Sequence, residues 1–231
     1  TSTRWIICSF FKIDFESTSN FSITTLYQKE EEGIRNSFQK LSLYLKEVLL
    51  YKKPDLILCG TGPGSFTGVR ISVTTARTLS QIYRIPIIAI DSLSLYSYSI
   101  YRQENIDHFL IGFDGKQKKY YTKEFNQDML LNPISDISKN EILHTIENKV
   151  LFLDNKEPLI SWLNEKEKLL YQNKINLITS VSSRFWIDLI LSEKFINNSD
   201  NFFYENYKNV IPLYIRKDPA HEKYPEGLAR I

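Results

Sequence analysis

The sequence is poor in the residues that build disulfide and metal sites. Its 231 residues include two cysteines, Cys8 and Cys59, and three histidines, His108, His144 and His221. Both cysteines sit inside apolar runs, which predicts buried, reduced thiols and no disulfide framework. No two histidines stand at helical ligand spacing, so the pattern supplies no metal motif. Neither sign of charge dominates: 29 Lys and Arg against 27 Asp and Glu give a net charge of +2. That balance argues against a nucleic-acid coat or a polybasic membrane binder, and leaves only a local patch open. No apolar run reaches the roughly 18 residues of a membrane span, and no signal-peptide pattern is visible. A cytoplasmic protein is the expectation. Internal repeats and low-complexity stretches are missing as well.

What is present is the composition of a globular chain, with 42% hydrophobic and 13% aromatic residues. Its length suits one large domain or two lobes of roughly 100 residues each. The first third alternates strand and helix signals. Strands are predicted over Arg4–Phe11 and Asn20–Tyr27, and a helix over about 34–51 from the spacing of Phe38, Leu41, Leu45, Val48 and Leu49. The short apolar strand Leu56–Cys59 leads into a glycine-rich turn. A helix over about 67–83 and the strand Ile87–Ile90 follow. A β-loop-α-β unit with wholly apolar strands implies a parallel sheet covered by helices.

The second half carries a hairpin signal, Phe109–Phe113 and Lys119–Phe125 around Asp114-Gly115. Helices are predicted over about 141–147, 159–170 and 182–195, with strands over 150–153 and 176–179. The polar, aperiodic segment 100–108 marks the boundary between a first lobe, 1–103, and a second, 104–215. The mixed-charge tail 216–231 is expected to be mobile or ordered only by a partner.

One segment stands above background. Four of the eight glycines fall within nine positions of Gly60-Thr61-Gly62-Pro63-Gly64-Ser65-Phe66-Thr67-Gly68, between a buried strand and a helix. Glycines allow close backbone approach, amides at a helix N-terminus suit an anion, and Ser65 or Thr67 can cap the helix. A Walker loop is excluded, because no lysine lies between Lys53 and Lys116. The dinucleotide fingerprint needs a glycine at Ser65 or at Thr67, depending on where counting starts. Asp91, ending the next strand, stands where a ribose-binding acid would fall, so that reading stays open. So does a tight turn with no ligand.

Gly62-Pro63-Gly64-Ser65-Phe66-Thr67-Gly68-Val69-Arg70-Ile71 closely resembles the signature of the TsaB (YeaZ) family. Weaker anchors occur in the family's order along nearly the whole chain. They are Thr1-Ser2-Thr3 with the strand Ile6–Phe10, Ile85-Pro86 before Asp91-Ser92-Leu93, Asp114-Gly115-Lys116 before Lys119-Tyr120-Tyr121, and Pro212-Leu213-Tyr214-Ile215-Arg216. The resemblance implies an α/β, two-lobed actin-like/Hsp70-like (ribonuclease H-like) fold, with mixed sheets flanked by helices. It implies a non-catalytic subunit that binds and stabilises a TsaD-like transferase, joined by a TsaE-like ATPase. That assembly forms N6-threonylcarbamoyladenosine beside the tRNA anticodon, so tRNA is met through the complex. No cofactor is expected on this chain alone, with ATP or ADP placed at the complex interface and a homodimer expected when the chain is isolated. By the same resemblance a strand and an Asp precede Thr1. Either an upstream segment is missing or residues elsewhere fill that strand's slot.

No residue is nominated as catalytic or metal-binding. Where many relatives carry a histidine before the serine of the first helix, this chain has Asn36-Ser37. The helix after the glycines has apolar or small residues on two faces, so one can cover the sheet and the other can meet a partner. Phe38, Leu41, Leu45, Val69, Arg70, Val73, Ala76, Arg77 and Ser80 are the candidate partner-interface residues. Full burial within the monomer is the plain alternative. Gly62, Gly64, Ser65 and Asp114 are the candidate nucleotide-facing residues, although Asp-Gly between two strands is already explained by hairpin geometry. Lys116, Lys118, Lys119 and Lys123 cluster around that turn as a solvated face or a tRNA contact. Two alternative functions remain, a nucleotide-using enzyme of the same fold, such as a small-molecule kinase, and a dinucleotide-binding domain over Gly60–Asp91.

Overall fold

The structure, a computed structural model, describes residues 5–16, 21–33, 36–50, 52–116, 118–126 and 131–215. The tail 216–231 and the Thr1-Ser2-Thr3 anchor lie outside them.

The first lobe opens with an antiparallel hairpin, β1 (Trp5–Phe15) and β2 (Phe21–Glu32), paired from Trp5 opposite Glu32 to Phe15 opposite Phe21. Both strands outrun their predicted lengths, with one register shift at Phe10/Phe11. Helix α1 (Ser37–Val48) packs on β1. Strand β3 (Ile57–Gly60), helix α2 (Phe66–Tyr83) and strand β4 (Ile87–Ile90) form the expected parallel unit, Ile57 opposite Ile87 and Gly60 opposite Ile90. The β1–β2 pair and the β3–β4 pair belong to separate sheets among the described residues.

Helix α3 (Ser92–Glu104) crosses from one lobe to the other. Its sequence, Ser-Leu-Ser-Leu-Tyr-Ser-Tyr-Ser-Ile-Tyr, has serines where an amphipathic helix would carry its apolar stripe. It is nevertheless buried from Ser92 through Ser97, and at Ser99 and Ile100. Packing from both lobes encloses it, so small polar residues fit where periodicity would look for leucine. Ser99 is bonded from two sides: its Oγ donates to the Ser182 carbonyl at 3.2 Å and accepts from Trp186 Nε1 at 3.0 Å.

The second lobe is a five-stranded mixed sheet. Strands β5 (Phe109–Asp114) and β6 (Lys119–Phe125) form the predicted hairpin, and β7 (Ser135–Ser138) adds to its edge. Helix α4 (Lys139–Thr145) leads to β8 (Val150–Leu153), parallel to β5. Helices α5 (Glu157–Trp162) and α6 (Glu165–Tyr171) replace the single helix expected over 159–170. Asn164 causes the break: its Oδ1 accepts from Glu167 N and its own N donates to Glu167 Oε2, both at 2.9 Å, a reciprocal cap. Strand β9 (Ile175–Leu177) closes the sheet, in the order β7-β6-β5-β8-β9. Helix α7 (Ser183–Ile190) and the turn-long α8 (Glu193–Ile196) split at Ser192, whose Oγ accepts from Phe195 N.

Strand β5 shows why the layers hold. Phe109, Ile111 and Phe113 turn to the core shared with α3 and α7, while Leu110 joins Ile142, Leu151 and Leu159 on the opposite face. Residues 203–213 depart from the expected division of the chain. Strand β10 (Phe203–Tyr204) pairs antiparallel with β4, Ala89 N donates to the Phe202 carbonyl at 2.8 Å, and Leu213 N donates to the Thr61 carbonyl at 2.8 Å. The chain thus returns to the first lobe before residue 215. A boundary at 103 misses this, because two-residue strands leave no pattern to read.

Candidate functional site

The glycine turn is built for contact with its own chain. Gly62 has φ +105°, and a Cβ there would lie 3.0 Å from the Leu213 carbonyl oxygen and 3.1 Å from Val69. Its N–H donates to Ser92 Oγ at 3.1 Å and its carbonyl accepts from Ser92 N at 2.6 Å. Gly60 ends β3 where a Cβ would meet Ser92 Oγ at 3.3 Å. Ser65 is the N-cap of α2, accepting from Gly68 N at 3.0 Å. Close backbone approach therefore explains Gly62, and helix capping explains Ser65. Asp114 is held in its own hairpin: its carboxylate accepts from Lys116 N and from Lys116 Nζ, at 2.9 and 2.6 Å. A cavity of about 430 Å³ beside the turn is lined by Thr61, Asp91, Lys123, Asn209 and Leu213. Gly62, Gly64, Ser65 and Asp114 do not line it.

Asp91 bears on the dinucleotide reading. Its Oδ1 accepts from Ser94 N at 2.8 Å, capping α3, and its Oδ2 accepts from Ser94 Oγ and Lys123 Nζ at 2.7 and 2.8 Å. A carboxylate engaged in this way does not present itself to a ribose. Lys123 is only 3% exposed and leaves the surface cluster of lysines expected around Asp114. Its ammonium also donates to Ser94 Oγ at 2.7 Å. Because Asp91 follows β4 and Lys123 lies on β6, this buried ion pair ties the two lobes together.

The start of α2 carries an exposed cluster that sequence reading does not assemble. The Arg70 guanidinium lies 3.7 Å from the centroid of the Phe66 ring, and its Nε donates to Tyr214 Oη at 2.8 Å. The Phe66 and Tyr214 rings are 5.6 Å apart. Phe66 and Arg70 belong to the glycine signature and Tyr214 to the C-terminal anchor, so two motifs distant in sequence meet at one surface. An Arg held on aromatic rings loses little freedom on contact, and such groups are favoured at protein interfaces.

Most residues nominated for partner contact are interior. Val69, Val73, Ala76 and Ser80 on α2 and Leu41 on α1 are buried in the monomer, so they cannot present themselves to a partner. Val73 and Ala76 pack with Cys59, Ile87 and Val210. Leu45 is partly buried. Phe38 is 63% exposed, Arg70 is exposed and Arg77 is partly so. The outward stripe of α2 is instead Phe66, Arg70, Thr74, Thr78 and Ile82, all exposed at four-residue spacing. The sequence pointed to the apolar face because apolar periodicity marks the side facing the core.

The titratable groups fit structural roles. Burial pushes the Cys8 thiol up to about 11 and the Cys59 thiol up to about 12, so neither is an activated nucleophile at neutral pH. His108 pairs with Glu124, and His144 sits exposed near Glu147; His221 lies outside the described residues. Asp154, after β8, accepts from Asp114 N at 2.8 Å, and burial raises its carboxyl to about 6. Among the described residues, no group of three or more His, Cys, Asp and Glu could hold a metal ion. No helix there is long and apolar enough to cross a membrane.

The lobes, the mixed sheets and the connecting helix define an α/β protein of the two-lobed, actin-like class. YeaZ from Pseudomonas aeruginosa superimposes with a TM-score of 0.65 at 15% identity, over 93% of this chain and 96% of that one. Residues 41–221 match the family described as "TsaD: tRNA N6-adenosine threonylcarbamoyltransferase". The chain is 27% identical over 183 residues to the tRNA threonylcarbamoyladenosine biosynthesis protein TsaB of Buchnera aphidicola subsp. Schizaphis graminum, covering 72% of this chain and 87% of that protein. It is 34% identical over 114 residues to the TsaB of Bacillus subtilis, covering 45% and 47%. The chain belongs to this family, as a TsaB (YeaZ) protein.

Proposed function

We propose that this chain works in tRNA threonylcarbamoyladenosine biosynthesis as an accessory subunit, docking on a TsaD-like transferase and holding it in its active form. The observation that carries this reading is the match over residues 41–221, together with relatives named as tRNA threonylcarbamoyladenosine biosynthesis proteins. The exposed α2 stripe supports it, because it begins at Phe66 and the Arg70 held over its ring, both inside the family signature. In this reading the stripe from Phe66 to Ile82, with Phe38 of α1, meets helices of the partner. The same face serves a homodimer when the partner is absent. A TsaE-like ATPase completes the assembly in the cytoplasm, tRNA is engaged through the complex, and ATP or ADP sits at the subunit interface. The chain itself performs no chemistry and binds no cofactor alone.

Reconstitution tests this directly. The chain is combined with TsaD-like and TsaE-like proteins, threonylcarbamoyl-adenylate and tRNA, and modified adenosine is quantified. Modification is expected to fall at least tenfold when this chain is left out. Equal modification with and without it would refute the reading.

A further inference from the structure

The cluster at the start of α2 leaves one charged group unused. Arg70 Nε donates to Tyr214 Oη at 2.8 Å, and the guanidinium lies 3.7 Å from the Phe66 ring centroid and 5.9 Å from that of Tyr214. Its two Nη nitrogens make no hydrogen bond or ion pair among the described residues, and the residue is exposed. Tyr214 is itself held in place, because Leu213 N, one residue before it, donates to the Thr61 carbonyl at 2.8 Å. A guanidinium fixed by a ring and a hydroxyl has already given up the rotamer freedom that binding would otherwise cost. It presents a planar pair of N–H donors and a full positive charge, which a carboxylate meets with two parallel bonds. Nothing on the helix answers that charge: α2 carries no Asp or Glu from Phe66 to Tyr83.

We propose that Arg70 binds an aspartate or glutamate side chain of the TsaD-like partner, with Tyr214 as the residue that positions it. This contact rests on the docking proposed above. Two observations favour an acidic side chain of that protein over other anions. A second copy of this chain offers a single acid on α1 and α2, Glu47, which already accepts from Tyr27 Oη at 2.9 Å. An RNA backbone is met by several cations acting together, whereas the other exposed residues of the stripe, Phe66, Thr74, Thr78 and Ile82, are uncharged. One isolated guanidinium among aromatic, threonine and isoleucine side chains suits a protein surface.

Titration calorimetry of the full chain against the TsaD-like protein tests this, with Arg70→Met, Arg70→Glu and Tyr214→Phe beside the unsubstituted chain. All are expected to melt alike, as exposed substitutions do. Arg70→Met keeps an unbranched stem on Phe66 and is expected to weaken binding roughly tenfold or more. Arg70→Glu is expected to weaken it further, through like-charge repulsion. Tyr214→Phe is expected to cost about threefold alone and nothing in the Arg70→Met background, because it acts through Arg70. Undiminished binding by Arg70→Met would overturn the proposal and leave the docking reading standing. Equal losses for Arg70→Met and Arg70→Glu would overturn it as well, since the group met would not be an anion. Weaker capture of tRNA by an otherwise intact complex would assign Arg70 to RNA instead and refute the carboxylate. If the unsubstituted chain fails to bind, the docking reading falls and this contact falls with it.

Discussion

Asp154 and Gly62 show how a residue's neighbours decide its meaning. Asp154 is an ordinary carboxylate in the sequence. In the fold it is buried after β8, and burial raises its pKa from 3.8 to about 6. The protonated form is therefore favoured in the folded state. Its contribution to stability is present below the unfolded pKa and is lost as pH rises through about 6. Two units correspond to about 3 kcal/mol, on the scale of 1.36 kcal/mol per unit. Asp154→Asn keeps the acceptor for Asp114 N and removes the charge. Urea unfolding across pH 4–7 is expected to show a flatter profile for the variant and higher stability at pH 7. An unchanged profile would show that the buried charge is compensated. Gly62 carries the complementary lesson. The glycine run was legible from the start, but the Leu213 carbonyl that requires Gly62 comes from the far end of the chain. No local pattern announces that contact.

At the scale of elements, helix α2 was legible in extent and misread in orientation. Spacing located it within a residue of its observed start and at its observed end, but the apolar stripe belongs to the core and not to a partner. The two faces separate under substitution. Val73→Arg places a charge at a site that is 1% exposed and is expected to cost more than about 3 kcal/mol or to abolish folding. Thr74→Arg, one position on, is expected to change stability by less than about 0.5 kcal/mol while weakening association at least tenfold. Thermal melting and analytical ultracentrifugation distinguish them. Full association by a folded Thr74→Arg variant would remove α2's outer stripe from the interface. Helix α3 was not legible at all. Ser94 bonds Asp91, and Ser99 bonds Trp186 and the Ser182 carbonyl, so its burial rests on partners that periodicity cannot detect.

At the scale of the whole molecule, the lobes are joined by the enclosed helix α3, by the returning segment 203–213 and by the Asp91–Lys123 pair. Lys123→Met removes the ammonium and leaves the Asp91 carboxylate, only 10% exposed, without its cation. Breaking a buried pair from one side costs about 3–5 kcal/mol, and the same loss is expected here in urea unfolding. The double variant Lys123→Met with Asp91→Asn is expected to recover part of it. Additive losses would mean that the two side chains do not act as a pair.

The sequence by itself determined the βαβ unit, the second-lobe hairpin, the order of most helices and strands, and the family. Each rests on local periodicity, turn chemistry or a contiguous motif. Only the tertiary structure decided which face of α2 meets solvent, that Asp91 locks the lobes, and that Phe66, Arg70 and Tyr214 form one surface. All of these depend on contacts between distant segments, and the hydrophobic pattern that places residues inside is indifferent to which segment covers them.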